Sequence, residues 1–170
     1  MAVGFALSAC AGPVILSPYG STIGANNLQR RDAHAGADFG EIPGAPILAA
    51  ADGKVVTVGE NAGCGLGVLI LHLEFLRYTV YCHLQKAVVK VGQVVKRGDV
   101  IGLVGATGKS GGIPHIHLEL LQGSSPRLGS ADGNLHGTED PLAIAVGCFD
   151  PQKTYPTDKL VLTYPVQCKD

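Results

Sequence analysis

Residues 114–121 alternate without a break. His115, His117 and Glu119 fall on one side of an extended chain, and Ile116, Leu118 and Leu120 fall on the other. A two-residue period of this kind specifies a strand with one apolar face to bury and one polar face to use. The rest of the chain is compatible with that strand. No window keeps apolar residues at a 3.6-residue period over three turns, and 24 glycines punctuate short Val, Ile and Leu runs. Residues 68–73 form an apolar run, Glu74 and Phe75 turn, and residues 78–83 return as a β-branched and aromatic strand. Residues 47–59 read as two short strands about an Asp52-Gly53 turn. Residues 88–104 alternate apolar stretches with Gly92, Gly98 and Gly102 at turn positions. The expectation is an all-β, or strongly β-dominated, domain.

The 170 residues suit a single domain with a proper core. Residues 1–29 read as an irregular N-terminal arm, 30–145 as the domain, and 146–170 as a C-terminal tail packed on it. Thirteen basic against 14 acidic residues leave a net charge of −1. A nucleic-acid partner would call for a basic excess, so none is expected. Nothing approaches the roughly 18 apolar residues of a membrane span, so no transmembrane span is expected either.

Two short patterns could carry chemistry. His34-Ala35-Gly36-Ala37-Asp38 sets an imidazole and a carboxylate an even number of residues apart, and Gly36 between them leaves room for a close approach. His115-Ile116-His117 sets two imidazoles on one strand face. Imidazole nitrogen and carboxylate oxygen are the usual zinc ligands, and three protein ligands with one open position make a catalytic site. Either pair alone says little, because a His-x-His on a strand is more often a half-solvated surface. Both in one small domain say more. His72 ends an apolar strand and is read as bonding backbone at the hairpin, while His136 is read as exposed in a polar loop. Gly108-Lys109-Ser110 is not a phosphate loop, because the glycine that motif needs five places earlier is Leu103.

Taken together, five segments resemble the lysostaphin/LytM-type zinc peptidases. They are His34-x-Gly36-x-Asp38 with Gly44-Ala45-Pro46 and Asp52-Gly53-Lys54-Val55-Val56 after it, Tyr81-Cys82-His83-Leu84, the hammerhead-like run from Val91-Gly92 to Ile101-Gly102, Gly105-Ala106-Thr107-Gly108, and Pro114-His115-Ile116-His117-Leu118-Glu119. They stand in the family's order and cover roughly residues 30–145. The resemblance implies a compact antiparallel β-sheet groove with one Zn2+ at its floor, held by His34, Asp38 and His117. It maps the family's two other histidines to His115 and His83. Zinc brings the pKa of its water toward neutrality, so a neutral His115 beside it would serve as general base and His83 would steady the oxyanion. Glu119, on the same face, either orients an imidazole or is a solvated acid. Tyr81, two residues from His83, either lines the groove or packs in the core. The departures are Ile116 and Leu118 in place of the commoner Leu and Phe, and Arg30, Arg31 and Asp32 crowded before His34.

The implied function is endopeptidase cleavage of the stem or cross-bridge peptides of bacterial peptidoglycan, in the cell envelope. One alternative is a catalytically silent binding or activator module of the same fold, which would have lost a ligand or a catalytic histidine. Another is a biotinyl-type carrier with Lys54 at its hairpin tip, which would have no use for five placed His and Asp residues. Five cysteines leave at least one outside any intramolecular disulfide. Leu7-Ser8-Ala9-Cys10 resembles a bacterial lipobox, with a lipid anchor on Cys10 as its implication, although residues 1–9 carry no Lys or Arg. The other four cysteines allow three pairings. Cys148 with Cys168 is expected, because it would pin the tail, and Cys64 with Cys82 would cross a hairpin.

Overall fold

A computed structural model describes residues 11–123, 127–129, 135 and 137–168. The strands are β1 (Val14–Ser17), β2 (Ala37–Gly40), β3 (Pro46–Leu48), β4 (Gly53–Asn61), β5 (Gly65–His72), β6 (Arg77–Ala87), β7 (Val94–Val95), β8 (Val100–Val104), β9 (His115–Gln122) and β10 (Thr138–Glu139). Every strand pairing is antiparallel. The main path of the sheet runs β1-β2-β9-β6-β5-β4-β7, with β8 joining β3 to β6 and β10 extending β9. Helical turns among the described residues are limited to two short 3-10 segments, Leu73–Phe75 between β5 and β6 and Pro141–Ile144.

Alternation decides which face each strand buries. Ile116, Leu118 and Leu120 of β9 enter the main core beside Val68, Ile70, Tyr81 and Phe39. Each such aliphatic side chain contributes on the order of 1.5–3 kcal/mol by leaving water. The residues between them in β5 and β6, Leu69 and Val80, join Leu121, Cys64 and Cys82 in a smaller apolar cluster. The sheet centre is thus covered on both faces.

Several elements differ from the sequence expectation. The N-terminal arm contains β1, which pairs with β2, so its second half is part of the sheet. The strands flanking Asp52-Gly53 do not pair with each other: β3 joins β8, and β4 joins β5 and β7. The Asp52 carboxylate is engaged by Lys96 Nζ at 2.7 Å and by the Arg97 backbone N–H at 2.8 Å, which ties this turn to the chain after β7. Gly102 sits inside β8, where a Cβ would come within 2.5 Å of Leu84. The tail supplies Leu162 and Val166 to the core, and Leu48 N–H donates to Pro165 O at 2.8 Å.

Cys64 is bonded to Cys82, and Cys148 to Cys168. Cys10 and His136 lie outside the described residues. The second disulfide closes a separation of 20 residues, which in the chain-entropy account is worth about 3 kcal/mol. The Cys148→Ser/Cys168→Ser double variant is therefore expected to melt about 6–12 °C lower than the parent. A calorimetric scan of both proteins under oxidising conditions checks this, and an unchanged midpoint refutes it.

Candidate metal centre

Three neighbouring strands bring the chemistry together. β2, β9 and β6 lie side by side, and the register sets Asp38 opposite His117 and His117 opposite Cys82. Neighbouring strands are about 4.8 Å apart, so side chains of one row on one face must meet. Gly36 is what lets the segment before β2 press onto β9. A Cβ there would fall 2.3 Å from Leu118 O, so the room it leaves is taken up by β9 itself.

His34 Nε2, His117 Nδ1 and Asp38 Oδ1 form a triangle with edges of 2.8, 2.9 and 3.1 Å, and all three residues are buried. Partners outside the triangle set each ring's tautomer. His34 Nδ1–H donates to Pro18 O at 3.1 Å, close to Ser17 Oγ at 3.1 Å. His117 Nε2–H donates to Glu119 Oε1 at 2.9 Å. Both remaining ring nitrogens therefore face the Asp38 carboxylate, where each can carry a proton donated to it or turn a lone pair to a metal cation.

Lone pairs converging this closely repel unless a cation holds them. Burial by itself lowers the His117 pKa, yet the Asp38 and Glu119 carboxylates overcome it and push it up to about 9. Burial likewise works to raise the Asp38 carboxyl, but hydrogen bonds from His117 and His34 hold it well below the usual range. The centre attracts positive charge. A tetrahedral ion with bonds of about 2.0–2.1 Å spaces its ligands roughly 3.3 Å apart, so a small outward shift of this triangle accommodates one. Two imidazoles and one carboxylate fit a divalent metal and leave a coordination position over.

The centre lies in a groove of about 430 Å³. One wall is the strap before His34, with Gly24, Arg30 and Arg31; the other is formed by Gly63, Cys64, His83 and Lys109. Residues 32–127 match the model of peptidase family M23.

The chain belongs to peptidase family M23.

This M23 chain is 44% identical over 93 residues to the peptidoglycan DD-endopeptidase ShyB of Vibrio cholerae, a match covering 55% of the chain and 21% of that protein. It spans about a fifth of the length of the curated relatives it matches. The catalytic domain of lysostaphin from Staphylococcus simulans superposes with a TM-score of 0.60 at 29% identity, over 79% of this chain and 90% of that one. A zinc-containing peptidase from Vibrio cholerae superposes with a TM-score of 0.57 at 35% identity, over 69% of this chain and 38% of that one. The M23 fold is thus the lysostaphin-type antiparallel sheet, and the family is one of metallopeptidases.

Two more imidazoles of the M23 chain border the triangle. His115 donates from Nδ1–H to Ile113 O at 2.7 Å, and its Nε2 stands 3.6 Å from Asp38 Oδ1. His83 donates from Nδ1–H to Thr107 O at 2.7 Å, and its ring centre is 4.7 Å from that of His115. Burial lowers both pKa values, that of His83 to about 3 with help from His117 and His115. Both rings are therefore neutral at pH 7, each with a bare Nε2.

Glu119 takes the ring-orienting alternative, since it is 2% exposed and holds His117 Nε2. Tyr81 takes the core alternative rather than the groove. It is fully buried, and its hydroxyl accepts from Ala50 N–H at 2.9 Å. The even spacing from Tyr81 to His83 misleads because His83 adopts φ 68°, which breaks the strand's alternation and puts Cys82 and His83 in the groove wall together. His72 is buried on β5 away from the groove, bonded to Asp52 O at 2.7 Å and Thr79 Oγ1 at 2.9 Å. Sequence reasoning gave no role to Pro18, Thr107 and Ile113, whose carbonyls act by position and leave no side-chain signal. Arg30 is different. Its charge beside His34 stood out, and its Nη2 donates to Asp38 Oδ2 at 2.8 Å.

Proposed function

We propose that this chain is a zinc-dependent endopeptidase that hydrolyses peptide bonds of bacterial peptidoglycan, with residues 30–145 as its catalytic unit and residues 146–170 packed on it. The observation that carries the reading is the convergence of His34 Nε2, Asp38 Oδ1 and His117 Nδ1 on one point, with two neutral histidines beside it. His34, Asp38 and His117 would hold the metal, which when bound acidifies the attacking water and polarises the scissile carbonyl. Zinc suits the two-nitrogen, one-oxygen donor set.

The chain's own residues supply the proton traffic. His115 Nε2 is bare and lies nearest the triangle, so it accepts the proton of the attacking water. His83 Nε2 is an acceptor while that ring is neutral. It would become an oxyanion donor only by taking over the proton that His115 has accepted from the water, the two ring centres being 4.7 Å apart, so its stabilising role follows that transfer and does not precede it. The strap and the Lys109 wall position an extended peptide between them. A substrate of this kind places the enzyme in the cell envelope, and a lipid anchor on Cys10 would hold it there. No helix among the described residues is long and apolar enough to cross a membrane.

Purified protein incubated with isolated cell-wall sacculi should release muropeptides with new amino and carboxyl ends, identified by mass spectrometry. A chelator should stop the release and added zinc should restore it. Zinc-loaded protein that binds sacculi without cutting them is the silent module instead.

A further inference from the structure

The two oxygens of Asp38 have different neighbours. Oδ1 faces His34, His117 and His115, whereas Oδ2 accepts from Arg30 Nη2 at 2.8 Å. The Asp38 side chain is fully buried, and among the described residues Arg30 is the one donor to Oδ2. Arg30 is itself held. Its backbone N–H donates to Thr22 O at 2.7 Å, and a bridge between Ile23 and Gln29 closes the strap beneath it. Its stem lies over Gly24, where a Cβ would stand 3.4 Å from Arg30 Nε, and that Nε is buried without a partner. The guanidinium is thus committed to this one carboxylate oxygen by the fold of the strap.

Resting on the metal-centre reading above, we propose that Arg30 is a positioning residue of that centre: it ties up Asp38 Oδ2, so the carboxylate can offer a metal Oδ1 alone. A free carboxylate can take a cation through both oxygens. Here that would fill a coordination position which a catalytic site must keep open. A ligand carboxylate fixed by an outer hydrogen bond is also pre-oriented, and losing such a partner typically lowers metal affinity by about 10–100-fold.

The test compares the parent chain with Arg30→Met, Arg30→Lys and Arg31→Met. Methionine keeps a stem over Gly24 while removing the donor, so folding is preserved. Zinc affinity is measured by competition with a chromogenic chelator, and coordination by the visible spectrum of the cobalt-loaded protein. Arg30→Met should lose about 10–100-fold in zinc affinity and exchange the intense four-coordinate cobalt bands for the weaker bands of a higher coordination number. Arg30→Lys, which can still reach Oδ2 with a cation, should recover the parent spectrum. Arg31→Met removes the same charge one residue along and should leave both readouts unchanged. Parent-like affinity and spectrum in Arg30→Met overturn the proposal, as does an equal loss in Arg31→Met, which would make the effect one of net charge. A parent chain that takes up neither zinc nor cobalt overturns the metal-centre reading itself, and this proposal falls with it.

Discussion

Asp38→Ala is expected to abolish metal binding and hydrolysis together. Asp38 Oδ1 is the shared corner of the triangle, 2.9 Å from His117 Nδ1 and 3.1 Å from His34 Nε2. Without it two imidazoles remain, one ligand fewer than catalytic zinc sites use. The electrostatics turn against the metal as well. Asp38 is the leading cause raising the His117 pKa to about 9, and the carboxylate also neutralises Arg30. Its removal leaves the Arg30 guanidinium without its counter-charge, facing the place where a divalent cation must sit. Alanine also opens a gap, so Asp38→Asn is the better companion: it keeps the shape and presents an uncharged carboxamide. Both variants should contain no zinc by atomic emission and leave cell-wall turbidity unchanged. Stoichiometric zinc in Asp38→Asn would refute the assigned ligand set.

The flat parts of the site were legible, and the bent parts were not. In β9 the alternation of His115, His117 and Glu119 with Ile116, Leu118 and Leu120 survives into the structure, because β9 is straight and paired on both sides. Period-2 reasoning holds wherever the backbone stays extended. It fails at His83, whose positive φ re-aims one side chain and reverses the parity on which the placement of Tyr81 depended. An L-residue in that region is uncommon, and no local signal in Tyr81-Cys82-His83-Leu84 announces it. The surrounding bonds impose it: His83 N–H donates to Cys64 O at 2.8 Å, and the disulfide ties Cys64 to the residue before His83.

Long-range choices were hidden for a related reason. Asp52-Gly53 carries the local signature of a hairpin, yet its flanking strands find other partners, β3 pairing with β8 and β4 with β5 and β7, and a local turn signal carries no information about such distant pairings. The Arg30 bond to Asp38 spans only eight residues, but it exists only because the strap folds back on itself between Thr22 and Arg30. Crowded charge could be read in the sequence; its target could not. The tail disulfide was readable, since a bond between Cys148 and Cys168 would pin the tail, whereas Cys64 and Cys82 were only one possibility across the hairpin until the structure joined them.

His115→Ala is expected to keep its zinc and lose turnover by about 10²–10⁴-fold, the usual scale for removing a general base. The argument is geometric. His115 Nε2 lies 3.6 Å from Asp38 Oδ1, outside the triangle, so its loss leaves all three donors in place. Its bare nitrogen is the group that can take a proton there, and no neighbouring carboxylate replaces it: Glu119 is committed to His117, and Asp38 to the triangle and Arg30. His83 is the nearest substitute, but its ring is anchored to Thr107 O. Its removal needs a different replacement. At φ 68° alanine would be strained, whereas asparagine tolerates the left-handed region, so His83→Asn isolates the lost imidazole from backbone effects. That variant should also retain zinc and lose about 10²–10³-fold, the scale of one oxyanion donor. Zinc content and muropeptide release are measured side by side. If His115→Ala is metal-free while His117→Ala retains zinc, ligand and base are reversed; if both His115→Ala and His83→Asn cut sacculi at the parent rate, neither imidazole takes part in the reaction.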